Sequence, residues 1–306
     1  MVLREVGSPV PGAGQVLVRV HAAALNPADL KVLRGKDGGG FLHAGAFPLV
    51  LGFDFSGVVE ALGAGAVGFE VGQPVFGFLP YAMNNRQGTL GEFVVSPTSA
   101  IAVKPAALSH AQAAALATAG CTALQALRDD GTLRAGGSVL VNGASGGVGS
   151  LAVQIARQLG AAEVWATCSA GKLAAVAALG PDKVIDYKVT PLAALGRRFD
   201  VVLDAASTSS ASACADILVR GGTYVTLLPN AALLWGKLSG WFSQRRATFA
   251  MTKSKAADLA QLAAWHAAGA ISVPIAQTFA LEQTVEALTA LEAGTHVGKL
   301  VVRVAS

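Results

Sequence analysis

The run Val139-Leu-Val-Asn-Gly-Ala-Ser-Gly-Gly-Val-Gly149 constrains this chain more than any other segment. Gly143, Gly146 and Gly149 recur at every third position between an apolar stretch, Ser138 to Asn142, and a segment with helical spacing. In that second segment Val148, Leu151, Ala152, Ile155, Ala156 and Leu159 fall on one face. A strand that turns through glycines into a helix gathers backbone N–H groups and a positive dipole end at one spot. Those are the physical requirements for holding a pyrophosphate. Gly143, Ala144, Ser145, Gly146, Gly147, Val148 and Gly149 are therefore candidate cofactor-binding residues. A packing turn without a ligand is the alternative, but here the required strand and helix both flank the glycines.

The surrounding pattern supports a doubly wound sheet. Ser138–Asn142, Glu163–Thr167, Val184-Ile185, Val201–Leu203 and Thr223–Leu228 read as strands, with helices predicted from Val148 and over Lys172–Leu179. Strands separated by helices imply parallel pairing with right-handed crossovers. Residues 1–108 differ: alternating Gln15–Ala23, Val58–Glu60 and Gln73–Phe78 lie between dense glycine turns, the mark of a compact β-rich domain. Helices over Lys255–Ala268 and Leu281–Leu291 and a strand over Lys299–Val304 follow. The expected division is a β-rich domain at 1–108, a dinucleotide-binding domain at 109–252, and a return to the first domain at 253–306.

Which dinucleotide is bound depends on the residue about 20 positions beyond the loop, where an acid holds the ribose 2′-hydroxyl of NAD. From Trp165 to Pro181 this chain has no acid and offers Thr167-Cys168-Ser169-Ala-Gly-Lys172 instead. A hydroxyl and an ammonium suit a 2′-phosphate, which a carboxylate would repel. A hydrogen bond to a charged group contributes about 1.5–3 kcal/mol, so even one favours NADPH about tenfold. A solvated lysine at a surface helix start is the plainer alternative.

Composition excludes several other classes. Charged residues make up 14% of the chain against 53% hydrophobic, which rules out a disordered or charged coiled-coil protein. Pro105–Leu127 and Ala135–Ile155 carry no Asp, Glu, Lys or Arg. The first is dotted with polar residues and the second is a strand, loop and helix start, so neither reads as a transmembrane span. Arg4 and Glu5 lead into Gly-Ser-Pro-Val-Pro and not into an apolar signal core. A net charge of +4 without a basic run longer than Arg245-Arg246 gives no support for a nucleic-acid partner. Three widely spaced cysteines, Cys121, Cys168 and Cys214, fit the cytoplasm or another reducing compartment.

Further motifs run along nearly the whole chain: Asn26-Pro-Ala-Asp-Leu-Lys31, Gly52-Phe-Asp-Phe-Ser-Gly-Val-Val-Glu, Val75-Phe-Gly77 and Thr118-Ala-Gly-Cys-Thr-Ala-Leu. Val184-Ile-Asp-Tyr187, Phe199-Asp-Val-Val-Leu-Asp204 and Gly298-Lys-Leu-Val-Val continue the series. With the glycine loop, these resemble the quinone oxidoreductase branch of the medium-chain dehydrogenase/reductase superfamily. The NPxDxK element and the segment near Pro229 are similar to chloroplast-envelope quinone oxidoreductase homologues and NADPH-dependent enone reductases. The resemblance implies a GroES-like catalytic domain, a Rossmann domain, NADPH, and a homodimer. It also implies that Ser169, Lys172 and Tyr187 surround the 2′-phosphate, and it adds Thr122, Leu227 and Lys299 to the cofactor contacts. Relatives carry a short strand or two ahead of the segment matching Val2–Val18, so one wall of the first domain is expected to be reduced.

Zinc-bearing relatives have a cysteine in the first catalytic loop, a Gly-His-Glu element and a four-cysteine lobe. The matching positions here are Leu25-Asn26-Pro27 and Gly52-Phe53-Asp54, and the lobe is missing. His21, His43, His110, His266 and His296 are scattered, and no Cys/His pair has ligand spacing, so no metal is expected. Conjugate reduction needs less polarising help than alcohol oxidation, because the added charge delocalises. The expected substrate is a small quinone or α,β-unsaturated carbonyl, with an enoyl thioester, or a catalytically silent NADPH-binding or membrane-associated protein, as alternatives.

Candidate catalytic residues are Asn26, Asp29 and Lys31. Asn26, Pro27 and Asp29 also spell a helix start, with N-cap, N1 proline and an acid at N3. By family similarity Lys31 faces the substrate carbonyl, although it does not share a helix face with Asp29. Asp54 reads as a structural turn residue and Cys121 as a small core residue, and no tyrosine falls near the first catalytic loop in sequence. Ala231–Phe249 has two tryptophans, three cations and no acid; it reads as the dimer edge or a loop packed on it, with a substrate-covering or peripheral membrane segment as the other reading.

Overall fold

The computed structural model describes residues 1–35, 49–81, 86–228 and 245–304. They form two compact units: Met1–Cys121 with Lys253–Gly269 and Val273–Ser306, and Thr122–Thr252 with Ala270–Ser272.

The first unit is built on a seven-stranded sheet. Its centre is β1 (Gln15–Ala24), flanked by β2 (Asp54–Leu62), β4 (Phe93–Pro97) and β13 (Lys299–Arg303). β3 (Pro74–Phe78) and β5 (Ile101–Val103) continue beyond β2, and β12 (Ile275–Ala280) runs parallel to β13 at the other edge. The alternation read from sequence has a direct cause, since Val16, Val18 and Val20 all face one core with Phe55, Val75, Ile101 and Leu300. β13 pairs antiparallel with β1, so the carboxyl-terminal segment completes the first sheet. Helices α1 (Pro27–Arg34) and α6 (Thr284–Ala293) accompany this sheet. Residues before Gln15 carry no strand.

β2 begins at Asp54, not at Val58. Asp54 pairs with Ala24 on one side and Phe78 on the other, so two neighbouring strands extend the ladder past the glycines. The predicted turn residue is the first residue of a central strand.

The second unit carries six parallel strands in the order β11-β10-β9-β6-β7-β8. These are β6 (Ser138–Asn142), β7 (Glu163–Cys168), β8 (Lys183–Asp186), β9 (Phe199–Asp204), β10 (Leu218–Thr226) and β11 (Arg246–Phe249). Every residue of β6 is buried, as expected of a strand covered on both faces. The winding reverses between β6 and β9, the crevice where open α/β sheets bind ligands. Helix α2 (His110–Gln125) crosses the unit boundary and ends in a π-helical turn, Ala126–Asp130; α3 (Gly147–Gln158) and α4 (Leu173–Ala177) follow. α5 (Ala256–Ala267) belongs to the first unit.

Of the segment Ala231–Phe249, residues 231–244 lie outside the described residues, as do His43 and Pro229. Of the rest, Arg246–Phe249 is β11, the edge strand of the second sheet.

The histidines that look scattered in sequence are not all isolated. His21 on β1 and His110 at the start of α2 stack with ring centroids 4.6 Å apart and 14° between planes. His110 Nδ1 lies 2.8 Å from Ser56 Oγ. Burial, then the charges of His21 and Lys104, push His110 down to about 4, while burial and Arg19 lower His21. Both groups are held neutral in the fold, so their contribution is complete above about pH 6.5 and is lost as pH falls toward 4. Discounted for partial exposure, the loss is about 1 kcal/mol, or roughly 2–4 °C in a chain of this size. Thermal melts between pH 7 and 4.5 should show this fall, and His110→Asn should flatten it; an unchanged slope in the variant would refute the assignment.

Candidate active site

The glycine loop lies between β6 and α3, where it was expected, and its glycines do different work. A Cβ on Gly149 would sit 2.2 Å from the Gly143 carbonyl oxygen, and Gly143 has φ +82° and no room beside Ala206. Both are required by the loop's own packing. Gly146 is exposed, with only the Gly143 carbonyl oxygen within 4 Å of the position of a Cβ. It leaves open the approach to the first turn of α3, whose N–H groups lack intrahelical acceptors.

A polar strap across the carboxyl ends of four strands holds this loop, and sequence reading missed it. Thr167 Oγ1 donates to Asn142 Oδ1 at 2.6 Å, and Asn142 Nδ2 donates to Asp204 Oδ1 at 2.8 Å. Tyr224 Oη and the Ser209 N–H both donate to Asp204 Oδ2, at 2.9 and 2.7 Å. Burial and then the neighbouring Asp204 raise the Tyr224 phenol well above its ordinary range, so it stays a donor. The strap reaches the loop through Thr167, whose carbonyl accepts the Ala144 N–H at 2.9 Å and whose hydroxyl accepts the Gly143 N–H. Asn142, Thr167, Asp204 and Tyr224 come from four strands, and only the sheet order brings them together. Each is a polar residue among the last three of its strand, which was the available signal.

The residues expected at the 2′-phosphate lie near one another along the backbone. The Tyr187 N–H donates to the Cys168 carbonyl, and the Lys172 N–H donates to the Ser169 carbonyl. Ser169, Lys172 and Tyr187 thus lie together at the ends of β7 and β8, with Tyr187 exposed. Thr122 is buried with its hydroxyl 2.7 Å from that of Thr252, and Leu227 is half-buried just past β10.

The first unit contains a second polar node. The Lys299 ammonium is 5% exposed and donates to Leu25 O at 2.7 Å, Asn26 Oδ1 at 2.6 Å and Asp54 Oδ2 at 3.2 Å. Asn26 Nδ2 donates to Asp54 Oδ2 at 2.9 Å. Asp54 Oδ1 accepts the Thr118 N–H at 2.9 Å and the Thr118 hydroxyl. Three acceptors match the ammonium's three hydrogens, all inside the first unit.

Asn26 caps α1, and Asp29 at N3 reaches back to accept the Asn26 N–H at 2.7 Å. Asp29 is fully buried, and its Oδ1 has no hydrogen-bond partner among the described residues. Burial pushes its carboxyl up to about 7 against the pull of that N–H bond, and the charge of Asp54 adds to the rise. Of the three candidate catalytic residues, the structure brings Asn26 and Asp29 to this node and places Lys31, half-buried on α1, outside it. Tyr81 is near the node in space though not in sequence: its ring tilts against Phe53 at 5.0 Å, and burial and then Asp54 and Asp29 raise its phenol.

The residues at the positions matching a metal site do not suit a metal. Phe53 offers no ligand, and Asn26 Oδ1 and Asp54 Oδ2 already hold an ammonium, whose charge opposes a second cation. Among the described residues no group of three His, Cys, Asp or Glu side chains is placed to bind one. No described helix is long and apolar enough to cross a membrane.

A barrel-like β domain joined to a nucleotide-type parallel sheet with a glycine loop at its switch point defines a two-domain dehydrogenase architecture. Family comparison agrees: residues 12–106 match the alcohol dehydrogenase GroES-like domain, and residues 179–302 match the zinc-binding dehydrogenase family. The chain is 35% identical to the chloroplast envelope quinone oxidoreductase homolog of Arabidopsis thaliana, over 76% of this chain and 71% of that protein. It is 34% identical to 2-methylene-furan-3-one reductase of Solanum lycopersicum, over 94% of this chain and 71% of the relative. The structure of the quinone oxidoreductase from Coxiella burnetii superposes with a TM-score of 0.88 at 32% identity, covering 98% of this chain and 93% of that one. The chain belongs to the medium-chain dehydrogenase/reductase superfamily, whose members are NAD(P)H oxidoreductases.

Asp204→Leu removes the acceptor of the Tyr224 hydroxyl and of one Asn142 N–H, both buried, and is expected to cost about 3 kcal/mol. Urea unfolding should show it, and Tyr224→Phe should cost about 1 kcal/mol; equal stability in both variants would contradict the strap. Asp29 behaves oppositely to the histidines: its raised carboxyl favours the fold at low pH, and that benefit is lost as pH rises from about 4 to about 7. Asp29→Asn should therefore gain stability relative to the parent by about 1–3 kcal/mol between pH 5 and 8 in urea titrations. A pH-independent difference would place the proton elsewhere.

Proposed function

We propose that this protein transfers hydride from NADPH to a quinone or an α,β-unsaturated carbonyl, without a metal. The observation that carries the reading is the pair of differently charged sites in the two units. A glycine loop and a corner that carries Ser169, Lys172 and Tyr187 occupy one, and an ammonium-filled node unsuited to a metal occupies the other. The activities named for the Arabidopsis and tomato relatives support the same substrate class.

In this reading the first turn of α3 and the Gly143–Gly149 loop hold the pyrophosphate, and Gly146 lets it approach. Ser169, Lys172 and Tyr187 hold the 2′-phosphate and select NADPH over NADH. The bound nicotinamide supplies the hydride. Asn26 and Asp29 fix the start of α1 and do not touch the reacting atoms, because their polar groups face the node. Lys31, on the same helix and half-exposed, donates the proton that completes conjugate reduction. An acceptor that spreads the incoming charge over a conjugated system needs no stronger electrophile than a hydrogen-bond donor.

NADPH consumption with a naphthoquinone, a medium-chain enone and crotonyl-CoA in parallel tests the function. Turnover of the first two is expected; turnover of crotonyl-CoA alone would mark a thioester reductase. No turnover with intact NADPH binding would overturn the enzyme reading. Lys172→Ala should reduce the preference for NADPH over NADH about tenfold, the value of one charged hydrogen bond. Lys31→Met should lower kcat and leave NADPH affinity unchanged.

A further inference from the structure

Two of the residues at the positions matching a metal site, Asn26 and Asp54, hold an ammonium here. Lys299 reaches from β13, the carboxyl-terminal strand, to the junction of β1 and α1 and to the first residue of β2. It neutralises Asp54, which is fully buried, and it fixes the amide of Asn26 by taking Oδ1 while Asp54 takes Nδ2. Asn26 is in turn the N-cap of the helix that carries Lys31. A buried carboxylate without a cation is severely destabilising, and a long flexible side chain held by three acceptors has little freedom left.

We propose that Lys299 is a positioning residue: a built-in monocation that occupies the place of a metal and sets the geometry of the Asn26–Lys31 segment. It then serves the reaction through Asn26 and α1, and not by contacting the cofactor. The role of Lys31 in reduction rests on the function proposed above; the ordering role of Lys299 does not.

The two roles of Lys299 predict different measurements. In Lys299→Met, NADPH affinity measured by nicotinamide fluorescence should stay within twofold of the parent. Amide hydrogen exchange over Asn26–Lys31 should speed up at least tenfold, and kcat with any acceptor the parent uses should fall at least tenfold. Lys299→Arg, which keeps the charge, should recover part of the exchange protection. If Lys299→Met does not fold, the double variant Lys299→Met/Asp54→Asn, which no longer buries a lone carboxylate, takes its place with the same expected readouts. An NADPH affinity weakened tenfold or more with unchanged exchange over Asn26–Lys31 would return Lys299 to the cofactor site and overturn the proposal. The exchange and binding measurements need no turnover, so they stand if the parent reduces none of the acceptors.

Discussion

Each unit of this protein is organised around one aspartate that is completely removed from water. An ionised carboxylate in an apolar interior costs several kcal/mol unless donors surround it, so the chain must bring donors from several strands to the same point. Asp54 receives them from Asn26, Thr118 and Lys299. Asp204 receives them from Asn142, Ser209 and Tyr224. Asp54 opens β2 and Asp204 closes β9, and satisfying each one ties neighbouring chain to the strand. The low content of charged residues makes these two charges count, since few others are buried.

Two consequences follow for the chemistry. The glycine loop is not a free tether: Gly143 and Gly149 are locked by close backbone approach, and Thr167 ties the loop to the Asp204 strap. Preorganised N–H groups lose little freedom when an anion arrives, so the loop can bind with backbone dipoles in place of charged side chains. At the other node, a lysine gives a fixed single charge with three directed hydrogen bonds. It orders its neighbours and leaves no open coordination position for a substrate oxygen.

Local features were legible in the sequence because they depend on spacing along the chain. The strand-glycine-helix run, the alternation of Val16, Val18 and Val20, and the Asn26-Pro27-Asp29 helix start all appear at their expected places. The nodes were not legible. Asp54 looked like a turn residue because its glycine flanks are local, whereas its strand character comes from pairing with β1 and β3. Lys299 sat in a motif that suggested cofactor contact, and nothing near it in sequence hinted at Asn26 or Asp54. His21 and His110 looked isolated for the same reason, although they stack.

The sequence by itself determined the class of fold, the family, the strand-glycine-helix loop and the absence of an acid from Trp165 to Pro181. These rest on short-range periodicity and on residue type. Only the tertiary structure decided which side chains share a buried site, because β13 returns beside β1 and the parallel sheet reverses its winding between β6 and β9. Hydrogen bonds between groups hundreds of residues apart have no signature in local pattern. They are set by strand order, and strand order is chosen by the burial of whole faces and not by any one polar residue.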